Sequence, residues 1–135
     1  MKIKVIVKQP YTQPEELEIE DTLENWQKQV GGFVQFLPTP YNDDVQIICN
    51  EEGKIKRLQG NFMIPEFNDY IVGTAVFCSF DKQGELKSLT EEQIKQTKTY
   101  INHYALVDGQ DINRDYEALS IQARKKMKQL MGAME

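Results

Sequence analysis

Tyr70-Ile71-Val72-Gly73-Thr74-Ala75-Val76-Phe77-Cys78-Ser79-Phe80 is the stretch around which the rest of the chain can be laid out. With side chains alternating across a strand, one face carries Tyr70, Val72, Thr74, Val76, Cys78 and Phe80, and the other Ile71, Gly73, Ala75, Phe77 and Ser79. Neither face is polar. A strand apolar on both sides belongs in the middle of a sheet, and Gly73 with Ala75 leaves room on one face for a helix to approach closely.

The same turn pattern stands on both sides of this stretch. Asn50-Glu51-Glu52-Gly53-Lys54-Ile55-Lys56-Arg57-Leu58 and Asp81-Lys82-Gln83-Gly84-Glu85-Leu86-Lys87-Ser88-Leu89 share Asn/Asp-x-x-Gly-charged-aliphatic-Lys-x-Leu, 31 residues apart. Asn or Asp opening a type I turn bonds its own backbone, and Gly at the fourth position supplies the left-handed conformation of a bulged hairpin. Both are expected to be hairpins, with Gly53 and Gly84 at positive φ.

Toward the N-terminus, Ile3, Val5 and Val7 alternate with Lys2, Lys4 and Lys8, a strand with one wet face. After the turn-prone Gln9–Pro14, Leu17 and Ile19 alternate with Glu16, Glu18 and Glu20, so the two runs pair as a hairpin with lysines facing glutamates. Asp21 and Glu24 resemble a capping box, Leu23, Trp26 and Val30 follow at helical spacing, and Gly31-Gly32 stops the helix near 22–30. Phe33–Leu37 and Val45–Cys49 read as strands separated by Pro38-Thr39-Pro40.

Toward the C-terminus, Thr90-Glu91-Glu92-Gln93 is a capping box, with Leu89 placed to staple onto Ile94. Ile94, Thr97, Ile101, Tyr104 and Ala105 track one face until Asp108-Gly109. A last helix, about 112–132, carries Tyr116, Leu119, Ala123, Met127, Leu130 and Met134 along one seam, with Met131 beside it. The fold class is α+β: an antiparallel or mixed sheet of about five to seven strands, the short helix near 22–30, and two C-terminal helices packed on it. Residues 1–108 form the α+β domain. Residues 109–135 form a helical extension that packs on the same domain or meets a second copy as a homodimer.

The chain has 135 residues, with 16 Lys+Arg against 21 Asp+Glu for a net charge of −5; 40% hydrophobic and 10% aromatic content can fill a core, which excludes disorder as the default. No run has the apolar length of a membrane span, and the first apolar stretch is too short for a signal peptide, so a cytoplasmic protein is expected. Cys49 and Cys78 lie in strand-like runs with no neighbouring His or Cys, and read as buried thiols rather than metal ligands.

Catalytic signals are missing. His103 is the single histidine, and no P-loop, Gly-rich dinucleotide turn, His-Glu-x-x-His or nucleophile elbow is present, so no catalytic residue, metal or cofactor is assigned. The acidic run from Glu15 to Glu24 fits a solvated strand face better than a metal site or phosphate mimic, and Arg124, Lys125, Lys126 and Lys128 fit a solvated helix face; a nucleic-acid partner is disfavoured. A dense polar cluster lies on and after the first of the two turns, and turn chemistry explains only its Asn50 and Gly53. Its members Asn50, Lys54, Arg57 and Asn61 are the candidate ligand- or partner-binding residues, with the Arg57 guanidinium and the Asn61 amide as spare recognition groups.

With these residues in view, the sequence resembles the domain-of-unknown-function family numbered 3846, short proteins carried by bacteria, phages and conjugative elements. The resemblance rests on Val30-Gly31-Gly32-Phe33, Cys49-Asn50-Glu51-Glu52-Gly53-Lys54 through Leu58 and Asn61, Ile71-Val72-Gly73-Thr74, and Ser88-Leu89-Thr90-Glu91-Glu92-Gln93-Ile94, roughly residues 1 to 100. Gln59-Gly60 departs from the family pattern, and the last helix lies outside it. The resemblance implies a mobile-element setting and carries over no catalytic residue. Joined to the missing enzyme signatures, it makes a non-catalytic binding or inhibitory module acting on a host protein the leading expectation. The alternative is a protein that sequesters a small anionic ligand, such as a nucleotide, through Lys54, Arg57 and Asn61. An enzyme with an unfamiliar site is the third.

Overall fold

A computed structural model describes residues 1–134. The first hairpin forms as its alternation requires: β1 (Lys2–Lys8) pairs antiparallel with β2 (Glu15–Glu20), setting Lys2 opposite Glu20 and Lys4 opposite Glu18. α1 (Leu23–Val30) follows. Its N-cap is Thr22, whose hydroxyl accepts the Asn25 N–H, and not Asp21, whose carboxylate is occupied by the Trp26 indole N–H at 3.0 Å. Gly31, at φ 76°, ends the helix.

β3 (Val34–Pro38) and β4 (Val45–Asn50) form an antiparallel pair, and β4 continues onto β7 (Ala75–Phe80). The main sheet runs β2-β1-β7-β4-β3, with the short β8 (Leu86–Lys87) attached to β7, and every pairing is antiparallel. β7 is the central strand. It sends Ala75 and Phe77 into one core layer and Val76 and Cys78 into the other, where Trp26 and Val30 of α1 pack. The all-apolar reading of this strand is thereby accounted for.

The stretch Tyr70–Phe80 is not one strand, however. It breaks at Gly73, which has φ 72°, and the first part becomes β6 (Asp69–Val72), paired with β5 (Gly60–Ile64) in a separate two-stranded sheet. Nor does a helix occupy the space above Gly73: a Cβ there would lie 2.8 Å from Leu58 Cδ1, so the glycine admits a loop leucine.

The two repeated turns also diverge. Asp81–Glu85 closes the β7–β8 hairpin, with Gly84 at φ 81°. The Asn50 copy is not a hairpin, because β4 and β5 belong to different sheets. Residues 51–57 coil through consecutive turns (Lys56 N–H to Glu52 O, Leu58 N–H to Gly53 O), and the chain reverses at Arg57, φ 53°. Gly53 has no positive φ. What it supplies is space, since a Cβ would stand 2.9 Å from Val72 Cγ2 and 3.3 Å from the Asn50 carbonyl oxygen.

α2 (Glu91–Tyr104) starts at the expected capping box, Thr90 and Gln93 bonding each other's backbone, and ends at Tyr104, earlier than Asp108, with Ala105 already extended. It packs Ile94 and Ile101 against β7 and the small sheet. α3 (Ile112–Met134) lays Ile112, Leu119 and Ala123 into a third cluster with Met63, Val72, Tyr100, Tyr104 and Leu106. Gly60 admits this helix: a Cβ there would meet Ile112 Cγ2 and Leu106 Cδ1 at 2.6 Å. The Met134 side chain lies outside the described residues.

Candidate functional site

The four polar residues singled out in the sequence do not form one site. Asn50 is buried; its amide donates to Val30 O at 3.1 Å and its Oδ1 accepts the Glu52 N–H at 2.8 Å. Lys54 is ion-paired with Asp69 and stands 4.3 Å from the Tyr70 ring centroid. Asn50 and Lys54 line one small recess of about 220 Å³ with Cys49 and Tyr70, whereas the exposed Arg57 lines another with Tyr11 and Gln59. Asn61 reaches neither recess. It is 0% exposed, and its amide donates at 2.8 Å to both Lys8 O and Gly73 O.

The residues carrying the family resemblance turn out to touch one another. A Cβ on Gly32 would lie 2.9 Å from Asn50 Nδ2, Gly53 abuts Val72, Gly73 abuts Leu58, and Asn61 bonds Gly73. Three of the four segments, all but Ser88–Ile94, form the joint between the two sheets. This is a packing arrangement in which small residues and buried amides let backbones approach, each amide satisfied by a carbonyl.

Asn61 leads to a residue that the sequence reading placed on a wet face. Lys8 shares the β1 face of Lys4 and Ile6, yet it is 1% exposed. Its Nζ donates to Gln9 O at 2.6 Å and to Asn61 Oδ1 at 3.0 Å, and no carboxylate of the described residues pairs with it. Burial lowers its pKa from 10.5 to about 8, because removal from water disfavours the charged form. Ile6, buried between two lysines on the same face, was the sign that this face becomes interior along β1.

Lys8 lines a cavity of about 620 Å³, within the range that holds metabolite-sized molecules. Pro14, Ile101 and Val107 give it apolar wall, and Lys98, Asn102 and Asp108 give it polar wall. Lys98 is already neutralised by Glu16 at 2.5 Å, an exposed pair that holds the Glu16 carboxyl below its ordinary range.

The sequence model of the family described as a domain of unknown function (DUF3846) matches residues 1–105. The chain belongs to this family. The DUF3846 domain thus takes in both sheets, α1 and α2, including Lys8, Asn61 and most of the cavity wall, and leaves Leu106, Val107, Asp108 and α3 outside the match. No curated protein and no solved structure matches the chain.

Two further features bear on chemistry. Cys49 and Cys78 are buried, which pushes their thiols up to about 11 and about 12 and leaves them protonated at neutral pH. Between α2 and α3 runs an apolar groove of about 580 Å³, walled by Tyr41, Tyr100, Tyr104, Met127, Leu130 and Met131. The Tyr41 and Tyr100 rings lie tilted at 34° with centroids 5.2 Å apart, and the Tyr100 hydroxyl donates to Glu66 at 2.7 Å. No helix among the described residues is long and apolar enough to cross a membrane.

Proposed function

We propose that the chain is a non-catalytic binding module, an accessory protein of a phage or other mobile element, acting by engagement of a host protein. The observation that supports this reading is the groove between α2 and α3. Its outer wall is thioether and aliphatic, with Met131 58% exposed and Met127 and Leu130 half-buried, while its floor is aromatic. Met and aromatic side chains are enriched at protein interfaces, and flexible thioethers adapt to the shape that meets them. The protonated thiols remove the two cysteines as ready nucleophiles. The mobile-element setting rests on the family resemblance.

The test is affinity capture of the tagged chain from its own host, wild type beside Met131→Asp. One protein retained in stoichiometric amount by wild type and lost by the variant, with the thermal midpoint unchanged, supports the reading. Equal capture by both, or no retained protein, counts against it. Sedimentation of the same pair separates a host protein from a second copy of this chain: a wild type that is monomeric at all concentrations excludes the copy.

A further inference from the structure

We propose that the cavity over Lys8 binds a small organic monoanion, one acidic group on a largely apolar body, with the acid meeting the Lys8 ammonium. This site is separate from the groove between α2 and α3 and from the recess around Lys54, and it borders the Arg57 recess through Tyr11 and Asp108. An ammonium carries three N–H donors. Two are used, both on neutral carbonyl oxygens, Gln9 O and Asn61 Oδ1. Neither partner cancels the charge. Burying an unpaired charge is costly, and an anion delivered to the cavity supplies what the chain itself does not.

The walls define the ligand further. The charged side chains lining the cavity are Lys8, Lys98 and Asp108. Lys98 is balanced by Glu16, and Asp108 adds a negative charge of its own. With Glu16 and Asp108 counted, the wall carries no net charge, and Lys8 is its one cation without a paired carboxylate among the described residues; it can meet one acid group, whereas a polyanion such as a nucleoside triphosphate would bring charge that nothing opposes. Pro14, Ile101 and Val107 accept an apolar body, and the exposed Asn102 amide can hydrogen-bond one polar substituent. A volume of about 620 Å³ accommodates a molecule of metabolite size.

Benzoate serves as the probe, benzamide as its neutral counterpart, and adenosine triphosphate as the polyanion, each titrated into the isotope-labelled full chain and followed by amide resonances. Benzoate is expected to shift Ile101, Ala105 and Val107 saturably, with benzamide and the triphosphate at least about tenfold weaker, the scale of one charge-assisted hydrogen bond. Lys8→Met should lose about tenfold for benzoate, and Lys98→Met less than about twofold. Should Lys8→Met fail to fold, the wild-type Lys8 Nζ resonance gives the same answer, its titration midpoint rising with benzoate and staying put with benzamide. Equal binding of benzoate and benzamide, tighter binding of the triphosphate, shifts confined to the α2–α3 groove, or an unmoved Lys8 midpoint would each overturn the proposal.

Discussion

Asn61 holds Lys8 at both ends. Its Nδ2 donates to the Lys8 backbone carbonyl at 2.8 Å, and its Oδ1 accepts the Lys8 ammonium at 3.0 Å. The two residues come from different sheets, β5 and β1, and the same amide also reaches Gly73, where the chain leaves the small sheet for the central strand. One buried side chain thus ties three backbone segments and fixes a cation among them.

Replacing Asn61 with Ala strands two buried carbonyl oxygens and removes one acceptor from Lys8. At about 1–3 kcal/mol for each buried group left unsatisfied, a loss of about 3 kcal/mol or more is expected in denaturant unfolding. A loss below about 0.5 kcal/mol, the usual size for exposed polar changes, would show that the amide is not buried as described. Asn61→Asp should instead raise the Lys8 midpoint, because a carboxylate beside the amine favours its charged form.

Lys8 should also leave a mark on stability against pH. Its folded pKa of about 8 lies below the ordinary 10.5. Between those values the unfolded chain holds the proton and the folded chain does not, so the Lys8 contribution to stability rises as pH climbs through that window. The buried thiols act oppositely, since unfolded cysteines ionise near 9 while the folded ones wait until about 11 and 12. The Lys8 part is therefore read from wild type minus Lys8→Met between pH 8 and 10, where the difference should grow in favour of the wild type. A flat difference would mean that Lys8 titrates alike in both states.

The same thiols should resist alkylation. Cys49 and Cys78 are buried and protonated at neutral pH, and reaction requires an accessible thiolate. Iodoacetamide at pH 7.5 should label neither in the native protein and both in denaturant. Rapid native labelling of either would contradict the packing of β4 and β7.

Gly53 and Gly84 stand at matching places in the repeated turn, yet their alanine variants should fail for different reasons. At Gly84 the surroundings are open and the strain is the positive φ, so Gly84→Asn should be tolerated better than Gly84→Ala, which costs about 1 kcal/mol. At Gly53 the obstacle is Val72 Cγ2, so Gly53→Ala should be partly rescued by Val72→Ala. Additive thermal shifts in that double variant would remove the steric explanation.

Local signals carried much of the architecture. The β1–β2 register, the Thr90 capping box and the Asp81 hairpin depend on residues close in sequence, and each forms where alternation or turn chemistry puts it. Failures occur where distant residues decide. The break at Gly73 depends on Leu58 and Asn61, and the Asn50 turn became a coil because β5 joined β6 and not β4. Lys8 was hidden for the same reason: alternation gives the face of a strand, but only the arrival of α2 and the segment after it determines whether that face is wet. Of the four candidate site residues, Asn61 is the one that leads to the cavity, and it does so through its bond to Lys8.

The two sheets meet around a buried ammonium that no carboxylate of the described residues neutralises. Titration of the Lys8 Nζ resonance in the ligand-free protein tests it most directly, with assignment by Lys8→Met. The structure predicts a midpoint near 8. A midpoint at the ordinary value of 10.5, with the fast hydrogen exchange of a solvated amine, would contradict it.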